Sequence, residues 1–269
     1  MLEIDCQRTA DDQIVISHDN NLFRATGKDM RISETKFADL PEYLPTLPVQ
    51  FNAKLTTCVS RDDPQPADLR IPLLRDVFQA FPTLPINIDI KEEDEKLLDL
   101  VNEMILEFDR EEITVWGNFR NSVCRKCYKK NPNVPLLFSL RRVVTLCLYF
   151  YTGLLPFIPL RESCLEILMP SVFLCNPNVL YKPTRRQRFL LRLIDKVLMR
   201  RWLFEHLNKR GIHVYVWVLN LEEEYDRAFA VGANGVMTDF PSKLRRYLDE
   251  RQRTSNGNPN PLPTTPLQQ

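Results

Sequence analysis

LEIDCQRTADDQIVISHDNNLFRATG, residues 2–27, is the stretch whose reading decides the fold. It holds two short apolar runs, Leu2–Cys6 and Ile14–Ser17, separated by the turn-prone Ala10, Asp11, Asp12 and Gln13. Alternation within each run and the polar break between them predict a β-hairpin or two adjacent strands. A turn centred near Asp11 and Asp12 sets Asp5 opposite His18. Glu3 is two residues from Asp5, so both side chains leave one face of the strand. Two carboxylates and an imidazole are thereby gathered locally. Carboxylates suit a hard cation such as Ca²⁺ or Mg²⁺, and a neighbouring histidine suits proton transfer. Spacing alone leaves the plainer alternatives open: a solvated strand face for Glu3 and Asp5, and a structural histidine.

Outward from that stretch, residues 20–68 carry loop and turn signals. Pro41, Pro45, Pro48, Pro64 and Pro66 leave it too broken for a long helix. Such an insertion over one end of a barrel commonly walls a substrate site. Regular alternation then begins. Strands are expected at Ile86–Ile90, Ile113–Trp116, Val134–Leu140, Glu166–Val172, Val214–Leu219 and Gly235–Asp239. Helices are expected at Leu74–Phe81, Glu95–Phe108, Ser122–Lys130, Arg185–Lys209, Glu222–Val231 and Ser242–Glu250. Repeated β-then-α segments imply a parallel sheet with crossover helices. Counting the opening hairpin as one unit, about seven strand units are present, close to a (β/α)8 TIM barrel. In that architecture chemistry sits at the C-terminal strand ends, where Asp89 and Lys91 share a face.

The 269 residues, 44% hydrophobic, suffice for one α/β domain, and the net charge of +1 gives no global push towards nucleic acid. The odd number of scattered cysteines fits a reducing compartment better than a disulfide scaffold. Cys124 and Cys127 form a C-x-x-C with no second pair at zinc spacing, so they read as one turn of a surface helix. No cleavable signal-peptide pattern opens the sequence.

E-I-D-C followed by I-S-H-D-x-x-L-x-R-x-T-G resembles the start of a glycerophosphodiester phosphodiesterase domain. I-N-I-D-I-K (86–91), V-Y-V-W-V-L-N (214–220) and G-V-M-T-D-F-P (235–241) are similar to later signatures of that family, in the right order. T-V-W-G-N, T-G-L-L-P-F-I-P and residues 197–203 resemble its animal lysophospholipase D type. The resemblance implies a PLC-like phosphodiesterase barrel over residues 1–250. It also implies a divalent metal (Mg²⁺ or Ca²⁺) on Glu3, Asp5 and Asp89, with His18 as an acid/base residue. Lys91 would then face the phosphate, and Trp217 would pack on the glycerol or acyl portion. Aspartate at position 89 replaces the glutamate usual in the family. The implied reaction cleaves lysophosphatidylcholine or N-acyl lysophosphatidylethanolamine to a lysophosphatidic-acid-type product and the head-group alcohol.

One departure stands out. The family opens with a strand carrying H-R-G, then a glutamate–asparagine pair, whereas here Met1 directly precedes Leu2 and Glu3. The expectation is an incomplete barrel lacking its first strand and helix, with an exposed edge on Leu2–Cys6 and weak activity. The competing expectation is a catalytically inactive, membrane-associated chain that binds lipid. Asn220 is expected at the site mouth, Asp239 as a loop anchor, and His206 and His213 as structural or exposed.

Residues 143–160, VVTLCLYFYTGLLPFIPL, carry no charge, but Gly153, Pro156 and Pro159 break them. They read as a hydrophobic insertion that dips into one leaflet or lines an acyl groove, with a buried barrel helix as the plainer alternative. The basic residues after them, from Lys182 through Arg201, suit anionic lipid head groups. The expected location is therefore cytoplasmic and membrane-associated, at endoplasmic-reticulum or perinuclear membranes by resemblance. Residues 251–269, rich in Pro, Asn, Thr and Gln, are expected as a disordered tail.

Overall fold

The structure is a computed structural model describing residues 1–49, 51–58, 69–176, 179 and 181–256. Strand β1 (Leu2–Arg8) turns back into β2 (Ile14–Ile16), with Cys6 paired to Ile16 and Arg8 to Ile14. Asp12 takes a left-handed φ of 64°, a conformation that aspartate tolerates better than most residues. The turn therefore centres on Asp11, and the Ser17 N–H donates to the Asp5 carbonyl at 2.9 Å. Ser17, not His18, faces Asp5. The expected pairing is off by one residue, and His18 lies just beyond the ladder.

The chain continues through helix α1 (Phe23–Thr26) into an antiparallel hairpin of β3 (Thr46–Val49) and β4 (Asn52–Cys58). Pro45 and Pro48 had concealed its alternation in the sequence. Then follow α2 (Leu74–Ala80), β5 (Ile86–Ile90), α3 (Glu95–Glu107), β6 (Thr114–Gly117), α4 (Asn121–Lys130) and α5 (Leu140–Tyr151). The second half is β7 (Cys164–Leu168), α6 (Ser171–Cys175), α7 (Arg185–Leu198), α8 (Arg201–Asn208), β8 (His213–Trp217), α9 (Glu222–Ala230), β9 (Gly235–Val236) and α10 (Pro241–Asn256).

The barrel wall runs β1, β5, β6, then single parallel bridges at Leu136 and Leu137, then β7, β8 and β9, all parallel. Among the described residues, no ladder joins β9 to β1. Strand β5 shows how the sequence builds this wall. Ile86, Ile88 and Ile90 are fully buried against Leu97, Leu98, Val101 and Ile105 of α3, while Asn87 and Asp89 alternate to the barrel interior. Asp94 caps α3 by accepting from the Lys96 N–H.

Several expected elements change form for identifiable reasons. The strand expected at Val134–Leu140 shrinks to its two bridges, because Pro135 lacks the N–H a ladder needs and α5 begins at Leu140. The basic helix expected at 185–209 breaks at Arg200, which is extended. Leu203, Phe204 and Leu207 turn into the core, whereas α7 has no buried residue, so one straight helix could not serve both. Strand β7 stops at Leu168, and residues 171–175 turn helical instead of continuing the strand. Cys124 and Cys127 lie on the buried face of α4, not its surface. Helix α10 continues past Glu250 to Asn256, into the stretch expected as a tail, whose remainder (257–269) lies outside the described residues.

Candidate active site

Inward-pointing residues at the C-terminal strand ends converge on one cavity of about 470 Å³. Glu3 and Asp5 enter it from β1, Asp89 and Lys91 from the end of β5, Glu166 from β7 and Trp217 from β8. His18 stands on its edge, with Asp239 opposite on the segment after β9. One wall is apolar. Leu47, Pro48, Val49 and Phe51 of the β3–β4 hairpin come from the proline-rich insertion, which was expected to wall the site. Phe51 packs edge-on against Phe173 of α6, with ring centroids 6.0 Å apart, and this fastens the hairpin to the barrel. No residue of 143–160 lines this cavity.

The cavity floor is acidic, with one lysine set into it. The Lys91 ammonium lies 2.6 Å from Asp5 Oδ1 and 2.7 Å from Asp89 Oδ2. Asp89 Oδ1 accepts a further hydrogen bond from Asn118 Nδ2 at 2.6 Å. Burial alone would lower the Lys91 pKa, but Asp89 and Asp5 outweigh it and hold it up to about 12. Strand register puts Asp5 beside Asp89, but Glu3 beside Asn87, one layer deeper. The three expected metal ligands therefore line one cavity without meeting at one point. Among the described residues, no three Asp, Glu, His or Cys side chains stand close enough together to hold a metal ion. The chemistry of the donors nevertheless fits Mg²⁺ or Ca²⁺, since they are hard oxygen ligands in excess of the single cation among them.

Glu3 and Glu166 carry the largest perturbations of this floor. Burial, then Asp5 and Glu166, raise the Glu3 carboxyl to about 8. Glu3 keeps solvent contact along the open cleft, which weakens the effect of burial, but the like charges beside it act in the same upward direction. Burial likewise raises Glu166 to about 8, although Asn87 Nδ2 donates to its Oε1 at 2.7 Å and pulls the other way. Among the described residues, the buried Asn87 Oδ1 has no hydrogen-bond partner.

His18 is held by a carboxylate at the cleft edge. Its Nδ1 lies 2.6 Å from Asp19 Oδ1, and its side chain remains 54% exposed to the cleft. Arg24 Nε holds the other Asp19 oxygen at 2.6 Å. Burial would raise the Asp19 pKa, but hydrogen bonds from Arg24 and His18 prevail and keep it below the ordinary value. The Asp19 carboxylate can only accept, so Nδ1 is the protonated nitrogen and Nε2 is the one left outside this contact. Buried Gln7 donates to the His18 carbonyl at 3.3 Å and steadies the backbone.

Three contributors were not singled out from sequence. Asp19 follows His18 directly, and that adjacency was its signal. Glu166 is the lone charge in the apolar strand C-L-E-I-L, a pattern that marks a polar interior. Asn118 ends the T-V-W-G-N motif and has no local signal of its own. Asn220, expected at the mouth, is instead a buried bracket. Its Nδ2 donates to Asp239 Oδ2 at 2.8 Å, and its Oδ1 accepts from Thr238 Oγ1 and the Asp239 N–H. Asp239 is accordingly anchored on its loop, as expected. His206 and His213 stand outside the cavity lining.

Comparison with known proteins gives the chain its family. Residues 1–243 match the Glycerophosphoryl diester phosphodiesterase family. The chain is 50% identical over 250 residues to lysophospholipase D GDPD1 of Homo sapiens, covering 92% of this chain and 76% of the human protein. It is 38% identical over 252 residues to lysophospholipase D GDPD3 of Homo sapiens, covering 93% and 76%. Among solved structures, a glycerophosphodiester phosphodiesterase from Agrobacterium tumefaciens superposes with a TM-score of 0.59 at 14% identity, over 92% of this chain and 85% of that one. An Oleispira antarctica phosphodiesterase in complex with the product sn-glycerol-3-phosphate gives 0.58 at 17% identity, over 92% and 84%. These two likenesses speak to the barrel fold alone.

Proposed function

This chain belongs to the glycerophosphoryl diester phosphodiesterase family and is a phosphoric diester hydrolase, and from that premise we propose that it is a metal-dependent lysophospholipase D. Its substrates are lysoglycerophospholipids such as lysophosphatidylcholine or N-acyl lysophosphatidylethanolamine, together with related glycerophosphodiesters. The products are a lysophosphatidic-acid-type phosphate and the head-group alcohol. One observation carries this reading: a carboxylate-held histidine stands at the edge of a cleft with an acidic floor and an apolar wall. A water-soluble diester needs no apolar wall; a diester bearing an acyl chain does.

Glu3, Asp5 and Asp89 are the residues that would hold the divalent cation. When bound, such a cation supplies Lewis-acid polarisation of a phosphoryl oxygen. The protein's own groups do the rest. Lys91, on leaving Asp5 and Asp89, presents a point charge to the phosphate. His18 takes or returns a proton at Nε2 while Asp19 supports the charged imidazole. Trp217, half-buried at the mouth, packs on the glycerol or acyl portion.

A membrane surface as the working place is supported by the outer face of the barrel. Leu140, Val144, Leu148 and Tyr151 form an exposed stripe along α5, and Phe157 beyond it is 81% exposed. Phe189 and Leu193 of α7 are exposed beside Arg185, Arg186, Arg188 and Arg192. Tyr151 ties the two helices by donating to the Val197 carbonyl at 2.9 Å. Among the described residues, no helix is long and apolar enough to cross a membrane. Apolar side chains interleaved with arginines suit a helix pair lying on anionic lipid at a cytoplasmic membrane face, such as that of the endoplasmic reticulum or nuclear envelope.

The reading is tested by incubating the protein with lysophosphatidylcholine and Mg²⁺ or Ca²⁺ and identifying the products by mass spectrometry. Choline and lysophosphatidate, lost on chelation, are expected. Release of a free fatty acid in their place would refute it.

A further inference from the structure

A second, broader cavity of about 790 Å³ opens beside the first. The two share His18, Arg24 and Lys91. Their chemistry differs on either side of that shared edge. The first is walled by the apolar hairpin. The second is lined mainly by amides and charges, including Gln7, Asn20, Asn21, Glu92 and Glu93. A phosphodiester also has two sides. With its phosphate at the His18–Lys91 edge and its acyl-glycerol against the apolar wall, its head-group alcohol falls in the polar lobe.

Among the described residues of the polar lobe, one carboxylate, Glu92, has no cation bonded to it, and one guanidinium, Arg120, has no carboxylate bonded to it. Asp19 is held by Arg24 at 2.6 Å. Glu93 takes Ser122 Oγ at 2.6 Å and Lys126 Nζ at 3.3 Å, and the Arg120 charge also acts on it. Lys91 is committed to Asp5 and Asp89. Glu92 is half-buried, and its one bonded partner is a neutral amide, Asn20 Nδ2 at 2.7 Å. Among the described residues it has no cationic partner. Asn20 is itself fixed, since its amide also meets Ser33 Oγ at 3.0 Å and its Oδ1 accepts from the Ser33 N–H. The Glu92 carboxylate is therefore held in place by an amide and without an ion pair, one residue along the chain from Lys91 at the shared edge.

We propose that Glu92 is the head-group specificity residue, receiving the ammonium of a choline or ethanolamine head group in the polar lobe. Resting on the phosphodiesterase reading above, this assigns selectivity among its substrates. A cationic head group gains a charge-assisted contact there, and a neutral polyol head group gains only ordinary hydrogen bonds. Glu92 touches the departing portion of the substrate, away from the reacting phosphorus.

The test is calorimetric binding of glycerophosphoethanolamine and glycerophosphoglycerol, each with Mg²⁺ or Ca²⁺ present, to the wild type and to Glu92→Gln. The substitution is isosteric and keeps an oxygen for Asn20. The wild type is expected to favour the ammonium ligand, and Glu92→Gln to reduce that preference about tenfold, the share of one charge-assisted contact at a half-exposed site. An affinity ratio equal in the two proteins would overturn the head-group assignment alone. A wild type that binds neither diester would instead contradict the phosphodiesterase reading on which the assignment rests.

Discussion

The ammonium of Lys91 lies 2.6 Å from Oδ1 of Asp5, inside the carboxylate set that a divalent cation would use. It bridges on to Asp89 Oδ2 at 2.7 Å. A lysine so placed is an internal counter-ion. It neutralises part of an acidic floor that would otherwise repel itself, and it must give way when a stronger cation arrives.

Lys91→Met should therefore raise the affinity for Mg²⁺ or Ca²⁺ by about tenfold in calorimetric titration, because one bound cation no longer has to be displaced. Substrate affinity should fall in the same variant, since the phosphate loses a point charge. An unchanged cation affinity would show that Lys91 does not compete for the floor.

In the proposed reaction Asp19 would act through His18, which it holds at 2.6 Å. Asp19→Asn keeps the side-chain shape but permits the imidazole to flip or change tautomer. It should lower kcat by roughly ten- to a hundredfold with KM little altered. A change confined to KM would mean that Asp19 only shapes the binding surface.

Glu166 makes stability depend on pH. Its carboxyl moves from an ordinary 4.5 to about 8 in the folded chain, chiefly through burial. Between those two values the folded state keeps a proton that the unfolded chain has lost, so stability falls as pH rises through the interval. Above about 8 this group adds no further change. Thermal unfolding from pH 4.5 to about 8 should show a declining Tm that is less steep in Glu166→Gln, with Glu3 carrying the remaining fall. An identical slope in both proteins would place the titration elsewhere.

The α5–α7 face should dock on anionic vesicles. Reversing Arg185, Arg186 and Arg188 to glutamate should weaken co-sedimentation with phosphatidylserine liposomes, and added salt should weaken the wild type further. Equal binding by both proteins would leave this face without a lipid partner.

How far the sequence could be read follows from what each signal depends on. Strand β5 was legible to the residue because its isoleucines alternate with Asn87 and Asp89 on a short, fully buried strand. Glu3, Asp5, His18, Asp89, Lys91 and Trp217 all line one cavity; period-two geometry placed Glu3 with Asp5 and Asp89 with Lys91, and the motif resemblance supplied the rest of the set. Their mutual placement was not legible. Whether Asp5 faces Ser17 or His18 turns on one left-handed residue, Asp12, whose backbone leaves no mark in composition. The hairpin over the cleft stayed hidden because Pro45 and Pro48 read as breakers. Asn118 reaches Asp89 across a sequence gap that no local pattern spans.

The central claim is that the His18 imidazole moves the proton in a phosphodiester hydrolysis carried out at this cleft. The most direct measurement is the rate of head-group release from lysophosphatidylcholine by the wild type and by His18→Ala, with circular dichroism confirming an unchanged fold. The account predicts a loss of about 10²–10⁴-fold in kcat, the usual contribution of a general acid or base. Turnover by His18→Ala within tenfold of the wild type would contradict it.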